Sequence, residues 1–172
     1  MWILLAVLMQ RRPGERLGVG WQGLRPSLWV IPVGAAAAGV VVAVAWRVGS
    51  LHVLWSPQPV AHALLYIVWA TVQQFILQSF FFVNLEELLG DGRKALLGSA
   101  LLFSAAHIPN PVLVSSTFVV ALFFIAVFRR YRNIYPLGVA HGLLGLALAV
   151  SVPDALLRHM RVGIAYLHFP AR

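Results

Sequence analysis

Cysteine is missing from the 172 residues. That removes disulfides, iron–sulfur clusters, thiolate zinc and a cysteine nucleophile. Charge is also scarce, at 10% of residues, where a soluble domain carries about 25%. With 60% apolar residues and a mean hydropathy of +0.85, the chain cannot coat a water-facing surface. A soluble enzyme, a disordered tail and a solenoid are excluded, which leaves a polytopic membrane protein. Carboxylates are rarer still. The five acidic residues, Glu15, Glu86, Glu87, Asp91 and Asp154, all lie in loops or flanks. An aspartyl intramembrane protease, which needs two buried Asp, and most proton-coupled pumps are therefore excluded. No H-E-x-x-H supports a zincin and no G-x-S-x-G supports a serine nucleophile.

Apolar runs are present in quantity. Five are plain: Leu28–Trp46, Val60–Val83, Ala95–Ile108, Val112–Phe128 and Ile134–Val152. They are too long for strands and lack alternation, so they read as helices. The third spans 14 residues, short of the ~20 that cross a bilayer. Met1–Met9 forms a sixth, short apolar piece, read as an interfacial helix or the remnant of a longer span. Its cations Arg11, Arg12 and Arg16 follow the apolar stretch, whereas a signal peptide carries them ahead of it. The expectation is an all-α, polytopic transmembrane helix bundle of five spans plus that N-terminal helix. Residues 1–27 form the apolar helix and basic lead-in, 28–152 the transmembrane domain and 153–172 a basic tail.

The net charge of +8 comes from 13 Lys+Arg, all but one of them Arg. Because these cations lie between apolar runs, they read as topology signals and headgroup contacts, and nucleic acid is not an expected partner. Nine of them, at Arg11, Arg12, Arg16, Arg25, Arg93, Lys94, Arg129, Arg130 and Arg132, fall on one side, and four, at Arg47, Arg158, Arg161 and Arg172, on the other. The positive-inside rule then makes the first set cytoplasmic, in a membrane of the bacterial inner type. Glu86 and Glu87 read as the solvated end of a helix, paired with Arg93 and Lys94.

Polar groups inside apolar runs are costly, so each needs a reason. Three features stand out. Gln73, Gln74 and Gln78 fall in the middle of the second run, with Gln74 and Gln78 on one helix face. They serve either as interhelical hydrogen-bonding glue or as the lining of a cavity. His107 ends the third run, in Phe103-Ser-Ala-Ala-His107, as a helix-end group or a site residue. His141 lies mid-helix between Gly138 and Gly142, which admit a neighbouring backbone, so it faces protein as a core histidine or a functional one. Two imidazoles without a third carboxylate or thiolate make a poor zinc site, so no metal and no cofactor is expected.

These features, in this order, resemble the CAAX-protease and bacteriocin-processing family of intramembrane proteases. That family carries Glu-Glu-x-x-x-Arg on one helix, Phe-x-x-x-His on the next and His-x-x-x-Asn on a later one. Phe103–His107 fits the second motif and His141 opens the third, and Leu17–Arg25 is similar to the family's amphipathic lead-in. The resemblance covers residues 17 to 152. It departs at the chemistry: the first motif reads Gln73-Gln74-x-x-x-Gln78, and Gly145 stands where Asn is expected.

In the family, the glutamate and histidines activate a water that attacks a peptide carbonyl. A Gln amide orients water but cannot take its proton. Exchanging all three charged groups for Gln keeps shape and hydrogen bonding without stranding a cation in hydrocarbon. The resemblance implies an intramembrane endopeptidase whose site is a cavity lined by Gln73, Gln74, Gln78, His107 and His141, with Phe103 packed beneath His107. The implied partners are membrane lipids and a membrane-embedded or lipidated peptide. The alternatives are a catalytically silent relative that binds a peptide or partner helix, and a small transporter or assembly subunit whose polar residues are bundle glue.

Overall fold

The computed structural model describes residues 14–53 and 57–168. The Met1–Met9 segment and Arg172 lie outside them. Every element is helical among the described residues. Two short turns lead in, α1 (Gly14–Leu17) and α2 (Leu24–Ser27). The long helices α3 (Val30–Val48) and α4 (Pro59–Gln74) follow. Without interruption α4 passes into a π-helical segment, Phe75–Phe82, and then into α5 (Val83–Leu89). The chain continues through α6 (Gly92–Ala105), α7 (Pro111–Tyr131), α8 (Tyr135–Ser151), α9 (Asp154–Leu157), a 3-10 turn (Arg158–Met160) and α10 (Ile164–Leu167).

Three helices are long and apolar enough to cross a membrane: Leu24–Val48, Pro59–Leu89 and Pro111–Tyr131. A fourth is reached if α8 and the segment Asp154–Met160, bent from it by 119°, count as one span. The expected five are not reached by length. Helix α6 has 14 residues, about 21 Å of rise, well under the ~30 Å hydrocarbon core. Outward faces are apolar, as lipid contact requires: Val40 is 63% and Leu65 65% exposed.

Helix α8 is the hub. It packs against α3 on one side and α4 on the other, while α6 joins α7 and the π segment. Small residues permit this. A Cβ on Gly34 of α3 would fall 2.6 Å from the Cβ of Ala140 on α8. Gly138, Gly142 and Gly145 of α8 are filled in turn by Thr71, Ile67 and Tyr66 of α4. Close backbone approach of this kind replaces hydrophobic burial as the adhesive between helices in lipid.

The lead-in is a strap tied to the α7–α8 turn. Asn133 donates to the carbonyls of Gly20 and Gln22 at 2.9 and 3.1 Å, and the Ile134 amide to that of Gly18 at 3.0 Å. Nor do the acidic residues pair as expected. Glu86 binds Arg132 at 2.7 Å and Glu87 binds Arg16 at 3.0 Å, while Lys94 faces Asp91. Arg132 closes α7 in a left-handed conformation (φ 47°), which turns its guanidinium back over the rings of Phe82 and Phe128 and onto Glu86. It is thus an internal brace and not only a headgroup anchor.

Asn110 fastens the other end. Its side-chain oxygen caps α7 by accepting from the Leu113 amide, and its NH2 donates to the carbonyls of Leu157 and Arg161. Those two carbonyls bracket the turn Arg158–Met160, whose residues all have positive φ (49°, 51° and 58°). Each such residue costs about 1–2 kcal/mol, and the clamp holds them there. Asn110→Ala should remove the cap and leave the buried Leu157 carbonyl without a donor, costing roughly 2–4 kcal/mol. Thermal unfolding in detergent micelles checks this, and a loss below ~0.5 kcal/mol, the scatter of ordinary surface changes, would refute the clamp.

Candidate functional site

The end of α4 and the π segment bring the glutamines together. Polar side chains in the middle of an apolar helix must find partners, because lipid offers none. The wide π turn is a rare feature that recurs at functional sites. Here it contains Gln78, which faces back along the helix onto Gln74. Asn84 secures the segment by donating to the Phe80 carbonyl at 2.6 Å, and Ser79 donates to the Leu17 carbonyl at 2.6 Å.

A chain of hydrogen bonds results. The Gln78 amide nitrogen donates to Gln74 Oε1 at 3.1 Å, and the Gln74 amide nitrogen lies 3.1 Å from His141 Nδ1. An amide NH2 only donates, so His141 Nδ1 is the acceptor and the neutral ring carries its proton on Nε2. Gln74 and Gln78 are fully buried, and Gln78 Oε1 has no partner among the described residues.

His107 is held in the opposite sense. Its Nδ1 lies 2.8 Å from the Phe103 carbonyl, which only accepts. Nδ1 therefore carries the proton, and Nε2 presents a lone pair. Among the described residues neither ring's Nε2 has a hydrogen-bond partner. Phe103 stands edge-on to both imidazoles, with centroids 5.1 Å from His107 and 6.2 Å from His141, and Phe124 lies 5.9 Å from His141.

Both histidines, Gln73 and Gln74 line one cavity of about 310 Å³, together with Ser116, Thr117 and Tyr66. The remaining wall is apolar and includes Trp69, whose 53% exposure shows that this wall reaches the outer face of the bundle. Gln78 was expected in the lining but does not reach it; it stands one hydrogen bond behind Gln74. No carboxylate lines the cavity among the described residues. Glu86 and Glu87 are held elsewhere by Arg132 and Arg16. No cluster of three or more metal-ligating side chains occurs among the described residues.

The model of one family, Rce1-like type II CAAX prenyl endopeptidases, matches residues 55–147. The chain belongs to this family. The matched segment is more than half of the chain and contains Gln73, Gln74, His107 and His141, the four residues expected from the sequence that line the cavity. Membership in the Rce1-like family agrees with the apolar helices, and the chain is an integral membrane protein. No curated protein and no solved structure matches it.

Tyr66 and Phe124 entered the cavity unannounced by the sequence. A signal for Tyr66 existed. It precedes Gln73 and Gln74 by seven and eight positions, two helical turns along the same face. Phe124 gave no such signal, because one aromatic in an apolar helix looks like any other.

Proposed function

We propose that the chain is an intramembrane endopeptidase that hydrolyses a peptide bond in a prenylated or membrane-embedded peptide, with His107 and His141 dividing the chemistry. The carrying observation is the opposite hydrogen bonding of the two imidazoles on one cavity, Nδ1 of His141 facing an amide NH2 and Nδ1 of His107 a carbonyl. His107 offers a bare Nε2 and His141 offers an Nε2–H. A water hydrogen-bonded to His107 Nε2 attacks the scissile carbonyl carbon. Its proton passes to that nitrogen as the new C–O bond forms, and the carbonyl π electrons move onto oxygen. The oxyanion accepts from His141 Nε2–H, which the Gln78–Gln74 chain holds in the required tautomer. When the C–N bond breaks, the leaving amine takes the proton from His107. Gln73 and the polar edge of Gln74 orient the peptide.

The mostly apolar wall, open towards lipid at Trp69, supports a lipidated or membrane-embedded substrate. The split of cations, nine against four, supports an inner, cytoplasmic-type membrane with the basic loops in the cytoplasm. The test is cleavage of a quenched fluorescent S-farnesyl peptide ending in Cys-aliphatic-aliphatic-X by the full chain in proteoliposomes. We expect release of the terminal tripeptide without added metal; an intact peptide after prolonged incubation would refute the reading.

A second reading is favoured by one observation, the lack of a carboxylate around the cavity among the described residues. In it the chain binds such a peptide, or a partner helix, and does not cut it. The same peptide then co-purifies intact with the protein.

A further inference from the structure

Helix α8 carries no side chain at Gly145, one turn beyond His141, and the space is filled from α4. The hydroxyl and ring of Tyr66 occupy the place where a Cβ on Gly145 would stand. Residues i and i+4 of a helix have their Cβ positions about 5–6 Å apart. The Tyr66 hydroxyl therefore sits beside the His141 side chain, on the same face of α8 and in the same cavity as His107 and His141. Its hydrogen-bond partner is the sulfur of Met160, 3.8 Å away. A thioether is a weak acceptor, so a phenolic O–H aimed at it is available to a better one.

Resting on the peptidase reading above, we propose that Tyr66 is a second donor to the oxyanion. Its O–H joins His141 Nε2–H at the developing negative charge. The proton stays on Tyr66 throughout, because the group donates a hydrogen bond and transfers nothing. When the tetrahedral intermediate collapses, the hydroxyl returns to Met160. The Tyr66–Gly145 pair is thus one unit. A side chain at 145 would displace the phenol, and a smaller residue at 66 would leave a hole beside His141.

Tyr66→Phe tests this, since the ring that fills the Gly145 space is kept and only the hydroxyl is lost. Two readouts are needed, both on the full chain in proteoliposomes. The first is turnover of the S-farnesyl peptide. The second, which needs no turnover, is binding of a peptidyl phosphonate of the same sequence, a tetrahedral anion, relative to the parent peptide. We expect kcat to fall about 10²-fold with KM within twofold, the loss typical of one oxyanion donor. The phosphonate should lose a similar factor while the parent peptide keeps its affinity. In Tyr66→Ala, adding Gly145→Asn should recover at least tenfold in both readouts by returning a donor from the other helix.

Unchanged kcat and unchanged phosphonate affinity in Tyr66→Phe would overturn the assignment, even if the wild type cleaves. If the wild type does not cleave but its preference for phosphonate disappears in Tyr66→Phe, the peptidase reading fails and the anion-donor role of Tyr66 stands. A wild type that neither cleaves nor prefers the phosphonate overturns both.

Discussion

His107→Ala should slow peptide cleavage by about 10³-fold, within the 10²–10⁴ that a positioned general base supplies. The reason is geometric. His107 donates from Nδ1 to the Phe103 carbonyl at the end of α6, which turns its unprotonated Nε2 to the cavity. No carboxylate in the lining can take over the proton among the described residues. His141→Ala removes a donor in place of a base, and should cost 10²- to 10³-fold. The two losses should not add. A base without an oxyanion donor, or the reverse, already forfeits most of the concerted step, so the double variant should fall close to the worse single one. Folding is a small concern for His107, which is only half-buried, and melting of the variant in detergent distinguishes lost chemistry from lost structure. His107→Gln is the sharper control. It can still donate to the Phe103 carbonyl but cannot accept a proton. If it retains more than a tenth of wild-type kcat, His107 is not the base.

The order of the motifs was legible because hydrocarbon makes polar residues conspicuous. Three glutamines and His141 within apolar runs needed protein around them, His107 stood at the end of its run, and the order of these residues placed them on three separate helices. Helix α8 was legible for a related reason, since glycines four apart mark close contact. What could not be read was which side chain stands behind which. Gln74 and Gln78 share a face in any helical reading, yet only the π turn and the burial of both show that Gln74 meets the cavity and Gln78 supports it. Ion-pair partners were misread because the nearest cations in sequence, Arg93 and Lys94, lie beyond the Gly90–Gly92 turn, whereas the left-handed end of α7 folds Arg132 onto Glu86. The span count failed on α6, whose 14 residues end at Ala105, and on α8, which counts as a span only with the bent Asp154–Met160 segment. Asn110 and Asn133 lie between apolar runs. Their work is long-range, tying carbonyls 47 to 113 positions away, and no local pattern reports that.

Gln74→Glu combined with Gln78→Arg should raise cleavage at least 10²-fold over the wild type, the lower end of what oxyanion stabilisation contributes. The two changes must be made together. Both positions are fully buried, so Gln74→Glu alone buries an unpaired carboxylate. That should cost about 3–5 kcal/mol and give poorly folded protein. In the pair, the guanidinium at 78 lies where the Gln78 amide now donates to Gln74 Oε1, and the carboxylate accepts from it. The change also removes a defect. Gln78 Oε1 is buried without a partner among the described residues, whereas Arg has only donors to satisfy. On the other side of Gln74, the carboxylate meets His141 Nδ1, which now accepts from an amide. It would draw a proton onto that nitrogen and favour an imidazolium, whose Nε2–H is a stronger donor to the oxyanion than that of the neutral ring. The neutral glutamine chain can only fix a tautomer; the charged pair adds polarisation. Melting temperature and single-turnover cleavage, measured on the wild type and the two variants side by side, separate these effects. We expect Gln74→Glu alone to melt early, the double variant to recover wild-type stability, and only the double variant to gain rate. A stable double variant that cleaves no faster than a cleaving wild type would show that glutamine is not what limits this cavity; if neither protein cleaves, the peptide-binding reading replaces the peptidase.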